Sequence, residues 1–383
     1  MIVEIAKKVI ISIRKKRTGF YDVDKQKKIL YGLEEPKDLI ERSFLQYYCQ
    51  MNMLPVWVRL FNAILGVVLT PIYYIKFYSS ILTVRGDAYK AVLISGLKDT
   101  SYVPNSLKKE YNHIIISDYN DIKLLGKNER KILKNIYKKY WSNPYFCVKC
   151  MLKIALYAQQ VFKYNPNTII TCGEYSFTSS ILTYYCNTLN IEHINIMHGE
   201  KLFDITDAFV KFNRFYVWDE HYKKLFVKLR ADEKQFHIEK PEFLNLKIPT
   251  GDTYRYELTY YLGGEDNQTL ENIRHVLKSW IIPADKICLR YHPRYSNAKK
   301  IKDMFSDYNV ENPFENSIKE SLGNTKYVVS LFSTVLYEAY ENGKLIVIDN
   351  LSNAKRYDQL KSLDYLILSK PHILISDLIN YSE

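Results

Sequence analysis

Short apolar runs, each closed by a polar or glycine residue, recur along the chain and restrict the fold it can adopt. Ala91-Val92-Leu93-Ile94-Ser95, His113-Ile114-Ile115-Ile116-Ser117, Thr168-Ile169-Ile170-Thr171-Cys172-Gly173-Glu174 and Ile194-Asn195-Ile196-Met197-His198-Gly199 make a first set. Residues 258–262, 286–291, 327–330 and 345–348 make a second. Consecutive apolar residues without polar alternation suit strands covered on both faces. Between them the apolar spacing predicts helices over 126–163, 177–189, 267–280, 297–306 and 334–341. Strands that alternate with helices give βαβ units and parallel sheets. With residues 241–251 read as a linker, the expectation is an α/β chain of two doubly wound domains around a cleft.

A length of 383 residues has room for two cores, and 47% hydrophobic with 25% charged residues is the balance of a folded chain. The formal charge of +12 is unevenly placed. Residues 1–150 hold 26 Lys and Arg against 13 Asp and Glu, whereas 151–383 hold 28 against 29. A basic N-terminal surface suits anionic headgroups or nucleic acid, and no nucleic-acid motif accompanies it. Six scattered cysteines without a secretory signal imply a reducing, cytoplasmic setting. Cys147-Val148-Lys149-Cys150 has no second pair at zinc-finger spacing, so it reads as two ordinary cysteines on a helix.

From Leu60 to Val84 the only charge is Lys76, and the uninterrupted apolar part, Leu60 to Ile75, falls short of the roughly 20 residues that cross a bilayer. Trp57 and Arg59 precede it, and Tyr73, Tyr74, Lys76 and Phe77 follow. Aromatic and cationic ends suit a segment lying in a membrane interface or making a shallow hairpin near Pro71. A buried core helix and a true span remain alternatives. A span that left the rest of the chain cytosolic would place the Lys/Arg-rich N terminus, including Arg14-Lys15-Lys16-Arg17, outside, against the usual charge bias.

Two strand ends carry phosphate-binding chemistry at the spacing of one α/β unit. Cys288-Leu289-Arg290-Tyr291 runs into His292-Pro293-Arg294, and Val328-Val329-Ser330 breaks at Ser333-Thr334 into a helix. A histidine ring can donate to a phosphate oxygen and an arginine can neutralise it. A Ser-Thr pair opening a helix adds hydroxyls and N-terminal amides, and Ser333 also suits an ordinary N-cap. Glu338, one turn on, is a candidate for ribose hydroxyls or a solvated helix residue. Gly263-Gly264, after another strand, reads equally as a tight turn or as backbone approaching a phosphate. In open parallel sheets ligands bind at such carboxyl ends. Asp22-Val23-Asp24 has the form of a metal-binding Asp-x-Asp, but it sits among lysines with no strand before it. It reads as a solvated pattern, and no catalytic metal is expected.

Residues 258–349 resemble the donor domain of GT-B glycosyltransferases. Among these the chain is most similar to bacterial sialyltransferase-like enzymes, which carry a His-Pro motif and a Ser/Thr pair on the cytidine monophosphate of the donor. Met197-His198-Gly199, followed by Phe215-Tyr216-Val217-Trp218, also resembles a segment of capsule, O-antigen and teichoic-acid transferases. The resemblance covers roughly 165–350. It implies that His292, Ser333 and Thr334 hold the donor phosphate; Arg294, Glu338, Gly263 and Gly264 join them as donor-nucleotide candidates by position, with no cofactor expected beyond the nucleotide sugar itself. Sialyltransferases take their general base from an acidic-acidic-Gly motif, and this chain has none. His198 is the leading replacement, with Glu174 and Glu200 as runners-up.

The resulting division is 1–85 as a basic, membrane-proximal segment, 86–245 as a Rossmann-like acceptor domain, 250–350 as the donor domain and 351–383 as C-terminal helices. The expected activity is inverting transfer of a sugar, such as an acidic sugar from a CMP donor, to a glycan or lipid-linked glycan acceptor of the cell surface. The alternatives are a CDP-polyol phosphotransferase and a non-catalytic assembly factor. The expected place is the cytoplasmic face of the plasma membrane, peripheral on its anionic surface.

Overall fold

The computed structural model describes residues 20–78, 89–94, 100–117, 125–248 and 253–380, so the Arg14–Arg17 cluster lies outside the described residues. One sheet holds strands β1 (Ala91–Ile94), β2 (Ile114–Ile116), β3 (Thr168–Thr171), β4 (Glu192–Ile196), β5 (Arg214–Val217) and β6 (Phe236–Ile238), and the four apolar runs of the first set supply β1 to β4. A second sheet holds β7 (Tyr256–Tyr261), β8 (Ile287–Arg290), β9 (Asn309–Glu311), β10 (Thr325–Ser330), β11 (Leu345–Ile348) and β12 (Ile373–Leu374). Every pairing is parallel. The orders are β2-β1-β3-β4-β5-β6 and β12-β11-β10-β7-β8-β9. Each order reverses direction once, between β1 and β3 in the first sheet and between β7 and β10 in the second. Those reversals are where doubly wound sheets open a crevice for ligands.

The described residues divide into two compact units. One comprises 23–198 with 203–243 and carries the first sheet; the other comprises the residues from 244 onward with those up to 22 and 199–202, and carries the second. Helices within 23–78, which the sequence suggested were part of a separate 1–85 segment, therefore belong to the first unit. Residues beyond 350, expected as helices alone, also supply β12.

Central strands are covered on both faces, as the unbroken apolar runs required. Val92, Ile94 and Ile169 face one core with the helix Pro144–Tyr164, while Ala91, Leu93, Ile170, Ile194 and Ile196 face another. Alternation along each strand sends successive side chains to opposite cores. Burying each of the valine, leucine and isoleucine side chains stabilises the fold by about 1.5–3 kcal/mol. A separate cluster built on Leu258, Tyr260, Leu289 and Val329 holds the second sheet.

Several elements depart from the expectation. The helix expected over 126–163 is two helices, Lys127–Tyr140 and Pro144–Tyr164, because the residue before a proline is pushed out of the helical region. Asn143 adopts φ −120°, ψ 68°. β3 ends at Thr171, so Cys172 to Glu174 form its exit loop rather than strand. The short strands β6, β9 and β12 and the helix Glu220–Lys228 carried no long apolar run to reveal them, whereas the helices Val23–Tyr31 and Leu39–Asn52 lie in the basic stretch 1–50, which reads as helical.

The apolar segment forms one 23-residue helix, Val56–Tyr78, which continues through Pro71 instead of turning there. Among the described residues, Val56–Phe77 is the one helix long and apolar enough to cross a membrane, and 17% of its most apolar window is buried. The uninterrupted apolar run was therefore a poor measure of length, and the helix is not a buried core helix.

Candidate functional site

At the carboxyl edge of the first sheet, β3 and β4 pair with Thr171 opposite Asn195. Three residues beyond each of these stand Glu174 and His198, so the register carries them to neighbouring loops. His198 Nδ1 lies 3.1 Å from Glu174 Oε1. The Glu174 carboxylate is wholly buried, whereas the His198 side chain is 35% exposed. Its second oxygen, Oε2, accepts from Asn195 Nδ2 at 3.1 Å, and Asn195 Oδ1 accepts from the Gly173 N–H at 2.7 Å. That fixes the amide's orientation: its oxygen faces the loop and its NH2 faces the carboxylate. Ser179 Oγ also donates to the Gly173 carbonyl.

A buried carboxylate 3.1 Å from Nδ1 favours the tautomer with its proton there, which leaves the Nε2 lone pair as the ring's acceptor. Glu174 was a runner-up for the base. Wholly buried, with Oε1 3.1 Å from His198 Nδ1 and Oε2 held by Asn195, it is placed to orient that ring. The loop is braced further by the helix Leu39–Asn52. Gln46 Nε2 donates to the Glu174 and Thr206 carbonyls at 3.0 Å each, and Gln50 Nε2 donates to the Tyr175 carbonyl at 2.9 Å. Tyr175 meets the His198 ring edge-on at 5.9 Å. Asn195, Gln46 and Gln50 escaped sequence reasoning, since no motif announces a hydrogen bond to a distant loop. An asparagine inside an otherwise apolar strand was the one available signal. Glu200 falls in the other unit, where its charge raises the Tyr365 hydroxyl further, after burial.

At the carboxyl edge of the second sheet, β8 and β10 flank β7. Tyr261 pairs with Arg290 and Tyr260 with Val329. Carried on by two residues, the first register brings Gly263 and His292 to adjoining loops, and Ser333 follows β10 at the same edge. Ser296 Oγ ties the two loops together, accepting from the His292 N–H at 2.9 Å and donating to the Gly263 carbonyl at 2.5 Å. Tyr295 stacks on the His292 ring at 4.4 Å, and a Cβ on Gly264 would stand 3.3 Å from the Tyr295 Cβ. The glycine there is a close approach between strand ends.

His292 Nδ1 accepts from the backbone N–H of Arg294 at 3.0 Å and of Tyr295 at 3.3 Å. Two donors on Nδ1 place the ring proton on Nε2, which makes Nε2–H a fixed donor. Burial, helped by the Arg294 charge, lowers the ring's pKa and keeps it neutral. Arg294 is exposed. Ser333 caps the helix Thr334–Glu341, its Oγ accepting from the Val335 N–H at 3.2 Å, and its own hydroxyl proton stays available. Glu338 is half-buried, not solvated; burial pushes its carboxyl up to about 7, with Arg290 opposing.

Other groups at this edge lay outside the sequence expectation. Glu265 Oε1 accepts from the Gly263 N–H at 2.8 Å, and burial raises its carboxyl. Asp349, wholly buried after β11, accepts from Tyr260 Oη at 2.6 Å and from the Leu351 and Ser352 N–H groups at 2.9 Å. The Arg356 guanidinium lies 5.2 Å over the Phe20 ring, and its charge opposes the rise at Glu265. Gly263, Gly264, His292, Ser333 and Thr334 thus come to one sheet edge. Among the described residues no cluster of His, Cys, Asp and Glu is arranged to hold a metal ion. Cys147 and Cys150 are buried on one helix, and burial pushes the Cys147 thiol up to about 12.

No protein-family model matches the chain, and no curated protein sequence does. Among solved structures it is similar to the UDP-GlcNAc 2-epimerase of Methanocaldococcus jannaschii, solved with UDP-GlcNAc and UDP. The identity is 16% and the TM-score 0.46, over 76% of this chain and 91% of that one. It is similar to the wall teichoic acid polymerase TagF at 11% identity and a TM-score of 0.42, over 76% of this chain and 77% of that one. A UDP-N-acetylglucosamine 2-epimerase from Rickettsia bellii gives 14% and 0.43, over 68% and 78%. The strand orders stand independently of these distant likenesses: the chain is an α/β protein of two Rossmann-like, doubly wound units, the make-up of a GT-B chain.

Proposed function

We propose that the chain is an inverting glycosyltransferase that moves a sugar from a nucleotide donor to an acceptor hydroxyl. The observation that carries this reading is the His198–Glu174 pair, an oriented and half-exposed base at the strand ends of one unit. His198 Nε2 takes the proton of the acceptor hydroxyl, and Glu174 stabilises the imidazolium that forms. The acceptor oxygen bonds to the anomeric carbon as the bond from that carbon to the donor phosphate breaks. The nucleotide leaves with the electron pair. In the other unit His292 Nε2–H, Arg294, Ser333 and the first turn of the helix Thr334–Glu341 meet the phosphate charge. No resident metal or cofactor has a part in this scheme.

The finer reading follows the resemblance of the His-Pro and Ser-Thr motifs: a CMP-activated acidic sugar as donor and a surface glycan, free or lipid-linked, as acceptor. Calorimetric titration of the full chain with CMP, CDP, UDP and GDP tests it. A cytidine nucleotide should bind, and His292→Ala should weaken it roughly tenfold or more, the worth of a hydrogen bond to a charged group. His198→Ala should bind as tightly and transfer nothing. Binding of UDP alone would overturn the cytidine donor, and no binding at all would favour an assembly factor over an enzyme. A product labelled with donor phosphorus would show polyol-phosphate transfer instead.

A further inference from the structure

The helix Val56–Tyr78 has two unlike sides. Val58, Asn62 and Phe77 are buried against the protein, and a Cβ on Gly66 would overlap the backbone of Pro144 and Tyr145. The helix is therefore clamped at its middle to the start of the helix Pro144–Tyr164. On the other side Trp57, Leu60, Ile64, Val67, Ile72 and Ile75 recur at helical spacing, each more than half exposed. A stripe of that length is more than a soluble monomer leaves bare without a partner.

A second helix states what the partner is. Tyr137, on the helix Lys127–Tyr140, sits beside Thr70 of the apolar helix. Lys127, Lys131, Lys134 and Lys138 are exposed along it. Its one acidic residue, Glu129, turns inward to accept from Tyr185 Oη at 2.8 Å. Trp141, at its end, is 76% exposed. An apolar stripe with tryptophan near its start, next to a row of lysines and a second exposed tryptophan, has the chemistry of a surface that enters lipid headgroups.

We infer that this face of the N-terminal unit docks on an anionic lipid bilayer, with the helix Val56–Tyr78 lying in the plane of the interface. A crossing orientation would draw the neighbouring lysines toward hydrocarbon. A second copy of the chain would bring two rows of lysines to one seam, whereas anionic headgroups neutralise them. The docking holds whichever reaction the chain performs.

Flotation of the full chain with vesicles of phosphatidylcholine, alone or with roughly a third phosphatidylglycerol, tests this. Binding should need the anionic lipid and weaken in high salt. Each lysine removed should cost about fivefold in affinity, so Lys131→Glu, Lys134→Glu and Lys138→Glu together should abolish it. Ile64→Glu with Val67→Glu should abolish it too, and an unchanged melting temperature would show that these exposed positions leave the fold intact. If either set misfolds, the salt and lipid dependence of the unaltered chain decides. Equal binding to neutral vesicles, or unweakened binding in high salt or by both folded variants, overturns the inference. So does labelling of the chain from both sides of a membrane, which is the mark of a span. A dimer that forms without lipid and is lost in Ile64→Glu overturns it in favour of self-association.

Discussion

Replacing Glu174 with Gln alters little in shape, yet the hydrogen-bond directions around it make the change severe. Asn195 Oδ1 is committed to the Gly173 N–H, so Asn195 Nδ2 must point at the side chain of residue 174. A glutamine there has to meet that NH2 with its oxygen. Its own NH2 then faces His198 Nδ1, which forces the ring proton onto Nε2 and removes the base. Loss of the charge alone costs about 1.5–3 kcal/mol, or roughly 10- to 150-fold in rate. The wrong tautomer extends the loss toward about 10⁴-fold. Adding Asn195→Asp to Glu174→Gln should reverse much of it. The introduced aspartate accepts both from the Gly173 N–H and from the NH2 of the introduced glutamine. That turns the glutamine oxygen back to His198 Nδ1–H. Nitrogen NMR of the imidazole reads the tautomer directly, and a transfer assay reads the rate. The single variant should show protonated Nε2, and the double variant protonated Nδ1 with at least tenfold recovery. A single variant that keeps Nδ1–H, or a double variant slower than the single, would refute the reasoning.

Three further outcomes follow from buried groups. His193, wholly buried between Tyr157 Oη at 3.0 Å and Thr183 Oγ1 at 2.7 Å, has its pKa lowered by burial from 6.5 to about 3. The unfolded chain binds the extra proton between those values, so this group's share of stability is full above pH 6.5. It is lost at about 1.4 kcal/mol per unit as pH falls toward 3. Denaturant titrations of His193→Gln across pH 4–7 should lose that slope. Glu338 runs the other way: with its folded pKa raised to about 7 from 4.5, the native state holds the extra proton, and stability falls as pH rises through that window. Glu338→Gln should therefore gain about 1–3 kcal/mol at pH 8 and almost nothing at pH 4; an equal gain at both would discount the desolvated carboxylate. Gly66→Val should destabilise by about 3 kcal/mol or more, because the added carbons meet the Pro144–Tyr145 backbone, which cannot step aside. An unchanged melting temperature would mean that the two helices part freely.

The chain spells out its strands because a strand buried on both faces can only be an unbroken apolar run. β1, β3, β4, β7, β8, β10 and β11 were legible for that reason, and with them the strand-end positions of His198, Glu174, His292 and Ser333. Edge strands such as β6, with its last two residues exposed, need no such run and left no trace. The Lys127–Tyr140 break was readable in principle from Pro144, but the helical period on both sides concealed it.

Roles within the edges were set by the fold. Pairing Thr171 with Asn195 is a matter of register between strands separated by a helix, and it alone brings the Glu174 carboxylate beside His198. The tautomer of His292 depends on which backbone N–H groups its loop turns inward, which composition does not encode. The sequence likewise showed that residues 56–78 were apolar, not which side they present. That was decided at Gly66, where the absence of a side chain lets one helix seat against the start of another and leaves the opposite stripe bare. A sequence records which residues are apolar and where donors stand. Only packing chooses which of them meet, because hydrogen bonds and close contacts join residues that are far apart along the chain.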